Sequence, residues 1–252
     1  MSQLKTFLEK KVSQYNQPDF IESDPIQIPH LFSKKEDIEI VGFLTALIAW
    51  GKREMIIRNA RKWMTLMDDS PHEFILHHKP KDLKPLRDFK HRTFQFTDTV
   101  HVLTSLQHIY QKHGGLEDLF TITPEEASPR DAIMRFRKIF FSIPYEKRTE
   151  KHVPNPEKGS ASKRLHMFLR WMVRKDRAGV DLGLWRNIPP SKLSCPLDIH
   201  SGRVARRLGL LSRKQNDIKA VMALDQNLRS FDQKDPVKYD FALFGLGIFE
   251  NF

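Results

Sequence analysis

Cysteine is almost absent: the 252-residue chain has one, Cys195. No internal disulfide framework can form, and no cysteine-ligated iron–sulfur cluster. A lone thiol fits a reducing cytoplasm. Also missing is any apolar run approaching the about 20 residues that a membrane span needs. The opening stretch, MSQLKTFLEKKVSQYN, is amphipathic and charged, with no apolar signal core. There is no internal repeat and no clear run of alternating hydrophobicity. HEFILHH groups His72, His77 and His78, but no neighbouring carboxylate set completes a metal site, so neither a metal nor a cofactor is expected. FGLGIFE follows no strand and is no dinucleotide loop.

What the chain does have is positive charge. Lys and Arg exceed Asp and Glu by 42 to 31, a net +11. A globular protein this basic commonly meets a polyanion, nucleic acid first among them. With 40% apolar residues it also has material for a real core.

The apolar spacing is helical almost throughout. Residues 38–50, IEIVGFLTALIAW, read as a buried helix. Asp69 or Ser70 can cap a helix with Pro71 at its first position. DTVHVLTSLQHIYQK, 98–112, is amphipathic and ends at Gly114 and Gly115. Further helices are expected near 129–142, 160–175, 217–230 and 236–249. In the 160–175 segment, Leu165, Phe168, Leu169 and Met172 share one face, and Lys163, Arg170 and Arg174 gather opposite it. The fold class is therefore mainly α. The expected organisation is a central lobe, 36–190, and a second lobe of 1–35 plus 191–252.

Two residues stand out chemically. Asp198, in CPLDIHSGRVARRLGLL, opens a helix that carries Arg203 and Arg207. As a helix N-cap it would contribute about 1 kcal/mol; in a basic surface it also suits an active-site acid. Lys163 is either a solvated lysine or, once its proton is lost, a nucleophile. His200 can make a local turn bond, orient Asp198 or touch phosphate. Arg170, Arg174, Arg203 and Arg207 are candidate phosphate contacts. Met167, one turn after Lys163, either packs or lines a pocket with Trp50 and Trp185, the last equally suited to plugging the core.

Leu197, Asp198, His200, Arg203 and Val204 resemble the segment that follows the hairpin in helix-hairpin-helix DNA glycosylases. KRLHMFLRWM followed by IPPSKLSCPLDIHSGRVA is similar to the archaeal 8-oxoguanine glycosylase branch. There a lysine opens an apolar helix well before the aspartate; here the separation is 198 − 163 = 35 residues. The usual glycine-rich hairpin is absent, and Gly179 and Val180 stand where its lysine is expected. Over nearly its whole length the chain also resembles a bacterial family with a domain of unknown function of about 250 residues, through ALIAWGKR, KGSASKRLHMFLRWMVRKD, DLGLWRNIPPSKL and PLDIHSGRVARRLGL.

The glycosylase resemblance implies a two-lobed helical fold with a cleft between the lobes. It implies a monomer acting on double-stranded DNA, damaged or abasic. It also implies base excision with AP-lyase activity on an oxidised purine such as 8-oxoguanine, Lys163 forming the Schiff base and Asp198 supplying the carboxylate. The alternatives are a catalytically silent nucleic-acid-binding protein on the same fold and a protein-interaction scaffold.

Overall fold

The computed structural model describes residues 2–126 and 128–252. Among these the regular structure is helical; pairing of extended backbone is limited to isolated bridges, His91 with Phe94 and Ser160 with Asp217. The α-helices are α1 (Ser2–Tyr15), α2 (Asp19–Ser23), α3 (Lys35–Leu47), α4 (Arg53–Thr65), α5 (Pro71–His77), α6 (Phe96–Lys112), α7 (Leu116–Phe120), α8 (Pro129–Phe140), α9 (Lys163–Val173), α10 (Ile199–Arg207), α11 (Ile218–Phe231) and α12 (Tyr239–Phe249). Short 3₁₀ turns join several of them. None of the described helices is long and apolar enough to cross a membrane.

Local chemistry accounts for the boundaries. Pro71 opens α5, as its fixed φ allows, with Ser70 at the N-cap, although the Ser70 side chain makes no cap hydrogen bond. Gln95 and Asp98 form a reciprocal capping box at the start of α6. That helix ends at Lys112, before Gly114 and Gly115, whose φ angles of 77° and 124° no helix continues.

The chain divides into two units. One comprises residues 24–121 and 132–154. Its core is aromatic: Phe43, Phe120, Phe136 and Phe140 pack together, and Trp63 packs on Phe89 and Phe94. Here α3 is buried from Ile38 to Leu47, as its mostly apolar run predicts, with Glu39 and Thr45 buried among the apolar side chains.

The other unit comprises residues 1–23, 122–131 and 155–252. Whereas the two-lobed expectation assigns 36–190 to one lobe, α9 here sits in the unit that holds both termini. There its apolar face is buried, and Arg170 and Arg174 pair with Asp240 and Asp235 of the C-terminal segment. The apolar core of this unit runs through Leu8, Val12, Leu197, Val204, Leu224, Leu228, Leu243 and Leu246.

Within it α12 is the central element. Both α1 and α10 pack on it, and two glycines permit the approach. A Cβ at Gly245 would meet the Tyr15 ring at 2.2–2.5 Å, and one at Gly247 would meet His200 backbone atoms at 3.2–3.3 Å. Gly245→Ala should therefore lower stability even though alanine is the better helix former. The overpacking cost exceeds the propensity gain by about 1–2 kcal/mol, readable as a lower urea midpoint.

Asp225 of α11 is a buried carboxyl, 4% exposed, that accepts the Cys195 N–H at 2.8 Å. Burial pushes its pKa up to about 6, against the opposing pull of the Ser194 hydroxyl, the Cys195 N–H and Arg229. A raised carboxyl stabilises the fold fully below its unfolded value, and that contribution is lost as pH rises through about 6. Asn keeps the acceptor without the charge. Asp225→Asn should thus gain on the wild type by about 2–3 kcal/mol between about pH 4 and pH 7.5, measured as the difference in urea unfolding free energies.

Candidate functional site

Asp198 is the N-cap of α10. Its Oδ1 accepts the N–H groups of His200 at 2.8 Å and Ser201 at 2.9 Å, with the Ser201 hydroxyl 3.1 Å away. In return the Ser201 hydroxyl oxygen accepts the Asp198 N–H at 2.9 Å, a capping box. The Asn216 side-chain amide holds the Asp198 carbonyl at 2.7 Å. All of these side-chain bonds use one oxygen; Oδ2 accepts none among the described residues. The carboxylate is half-buried, so a fixed, unengaged oxygen remains.

Lys163 is the first residue of α9, and its ammonium lies 3.5 Å from the Met167 sulfur one turn on. Met167 is buried, 8% exposed. Lys163 and Asp198 reach a common neighbour electrostatically, the Asp240 carboxyl of α12. Burial lifts the Asp240 pKa to about 6; Arg170 pulls it down, Asp198 pushes it up and Lys163 pulls it down. The Cys195 thiol lies 3.8 Å from Asp240 Oδ1, and burial, then Asp240 and Asp225, push its pKa far up, so it stays a thiol.

Arg170 and Arg174 do not face a phosphate backbone, contrary to the helical-face expectation. They are 4% and 2% exposed. Arg170 Nε donates to Asp181 Oδ1 at 3.1 Å and Nη1 to Asp240. Arg174 pairs with Asp181 at 3.1 Å, Asp235 at 2.9 Å and Asp176 at 2.6 Å. Both guanidiniums also lie over the Phe241 ring. The helix is buried all round from Leu165 to Val173, so the face opposite its apolar stripe meets carboxylates rather than solvent.

His200 touches Asp198 through its backbone N–H; its buried Nδ1 has no hydrogen-bond partner among the described residues. Arg203 and Arg207 are exposed. Arg203 donates to the Phe252 carbonyl at 3.0 Å and the Gly247 carbonyl at 2.9 Å, and Arg207 lies over the Phe252 ring at 5.8 Å. With Ile199, Arg206, Lys214 and Asn216 they line a shallow depression on α10 and the loop after it. Arg206 ties that loop down, donating to the carbonyls of Arg213 and Lys214 and to Asn216 Oδ1.

Of the two expected base-pocket aromatics, Trp185 does not line this depression. Trp185 is 1% exposed and meets Phe168 edge-on at 5.3 Å, a core plug. Trp50 belongs to the other unit, where it stacks on His152 at 5.6 Å and meets His91 edge-on. Residue spacing does not single out Asp240, Asp181, Arg206 or Ser201. Asp240 had a signal, being the lone charge in YDFALFGLGIF. No group of three or more His, Cys, Asp or Glu among the described residues is arranged to hold a metal ion.

No curated protein and no solved structure matches the chain. A family model described as Protein of unknown function (DUF2400) does match, over residues 24–249. That span covers most of the sequence, and the chain belongs to the DUF2400 family.

Proposed function

We propose that this protein is a cytoplasmic DNA glycosylase with AP-lyase activity, acting on an oxidised purine, 8-oxoguanine being the first to try. The observation that carries the reading is Asp198. One of its oxygens is held by α10 backbone donors while the other is unengaged, beside a basic depression and in the same electrostatic neighbourhood as Lys163.

Base excision breaks an N-glycosidic bond through a sugar cation, and a fixed carboxylate stabilises that cation. Lys163, as the free amine, attacks C1′. The departing base takes the bonding electron pair and a proton from solvent. The nitrogen of the new C1′–N bond gives its proton to Asp198, which passes it to O4′ as the C1′–O4′ bond breaks to an iminium; loss of the C2′ proton to solvent then expels the 3′-phosphate as the C3′–O bond breaks. Support for Lys163 over Lys192 comes from its surroundings. Lys192 is occupied, donating to the Glu126 carbonyl at 2.7 Å, whereas the Lys163 ammonium meets only the soft Met167 sulfur at 3.5 Å. A second reading, a catalytically silent DNA-binding protein, is favoured by the depression itself, which needs no chemistry to hold a polyanion.

Borohydride should trap the wild type on duplexes carrying an abasic site or 8-oxoguanine, and Lys163→Ala should abolish the trapped species with the helical circular-dichroism spectrum intact. Asp198→Asn should keep DNA binding and the cap while lowering excision by about 100-fold or more. Trapping that survives Lys163→Ala but disappears in Lys175→Ala or Lys192→Ala moves the nucleophile and keeps the reading. If pure wild-type protein traps on neither duplex, the lyase is excluded and the silent reading replaces it.

Binding should also weaken steeply with salt, because counterions leave the DNA as cations neutralise its phosphates. Arg207→Glu should lower affinity for duplexes of every sequence and flatten the salt slope by about 0.9 for each phosphate that is no longer neutralised. Affinity indifferent to salt would exclude a phosphate-tracking surface.

A further inference from the structure

Ile199 immediately follows Asp198 and is 78% exposed, more than any other large apolar side chain exposed among the described residues. A single exposed isoleucine is commonplace. Its surroundings set this one apart. It lines the α10 depression together with Arg203, Arg206, Arg207, Lys214 and Asn216.

None of those four cations forms an ion pair among the described residues. Arg203 and Arg206 are held by carbonyl oxygens and the Asn216 amide oxygen, and Arg207 lies over an aromatic ring. Such partners fix a guanidinium without neutralising it. The depression is therefore a positioned positive field with one apolar point in it.

An apolar protein partner would need more than one apolar side chain, and Ile199 is the only one among the described residues lining this surface. A free small anion would use the cations and have no use for the isoleucine. Duplex DNA matches both features, with phosphates outside for the arginines and a base stack inside for an apolar side chain. Proteins that distort DNA commonly insert such a wedge between base steps. A base removed by chemistry must first leave the stack.

We propose that Ile199 is a wedge that enters the base stack of duplex DNA held by Arg203, Arg206, Arg207 and Lys214, turning the adjacent nucleotide out beside Asp198. The proposal rests on the DNA reading above and adds a residue that this reading does not use. Rigid placement suits a wedge, and Ile199 has it. It is the first residue of α10 and lies within the Asp198–Ser201 capping box that fixes the start of that helix. Arg203 lies one turn further on and is tied to the C-terminal segment at Gly247 and Phe252.

The test uses a duplex with 2-aminopurine beside a stable abasic-site analogue, following fluorescence for unstacking and anisotropy for binding. At saturating wild-type protein the fluorescence should rise. Ile199→Ala should lose that rise while still binding, and its exposure means the substitution leaves the fold intact, checked by circular dichroism. Arg207→Ala combined with Lys214→Ala should weaken binding yet give the full rise once saturated. If the wild type binds but gives no rise, or Ile199→Ala gives the same rise, the wedge is overturned and the DNA reading stands. If the wild type does not bind the duplex at all, the DNA reading fails and takes the wedge with it.

Discussion

Arg170 and Arg174 lie inside the unit that holds both termini, among the carboxylates of Asp181, Asp240, Asp235 and Asp176. Two guanidiniums taken out of water are costly, and only good geometry with satisfied donors offsets the loss. Here Asp181 bridges both arginines through its two oxygens, and the Phe241 ring lies against both. Removing one partner from such a set typically costs about 3–5 kcal/mol, because the remaining charge stays buried. The network thus fixes the rotation of α9 against α12. Lys163 starts α9, so its position follows from pairs made two turns and more further along the helix.

Helix α12 passes that order on to α10. It is apolar enough to be buried, yet Asp240 near its start is the partner of Arg170, and Gly245 and Gly247 let α1 and α10 lie close. His200 packs directly on Gly247, and Arg203 is anchored to the Gly247 carbonyl. The start of α10, with Asp198 and Ile199, is thereby registered against the helix that α9 is locked to. The same arrangement redistributes charge. The buried network holds more carboxylates than guanidiniums, so the rest of the chain is more basic than its net +11. The unpaired cations around Ile199 are part of that excess.

The helices were legible because their cause is local. Apolar spacing, Pro71 at a first position, the Gly114–Gly115 stop and an aspartate before a periodic run each act within a few residues. Asp198 as a cap was legible for the same reason. The role of α9 was not. A helical projection separates Arg170 and Arg174 correctly from Leu165 and Phe168 but cannot tell a solvated cation from one paired in the core. That depends on Asp181, 11 residues on, and Asp240, 70 residues on. Unit membership is likewise decided by distant contacts: Trp50 lies in the unit of residues 24–121 and 132–154, where it packs with His91 and His152. Asp240 could have been found, since a lone carboxylate in an apolar helix demands a buried cation.

The two readings of Asp198, helix cap and chemical group, compete only if both need the same atoms. They do not. Capping takes Oδ1, which receives its donors from the first turn of α10. Those bonds fix the carboxyl plane, and the direction of Oδ2 is fixed with it. A carboxylate aimed in this way needs no reorganisation when positive charge develops nearby, which is what electrostatic stabilisation of a sugar cation requires. A cap alone is served equally well by Asn, Ser or Asp. Capping by itself therefore does not require a carboxylate, and the second oxygen of Asp198 is left unengaged by the bonds that make the cap.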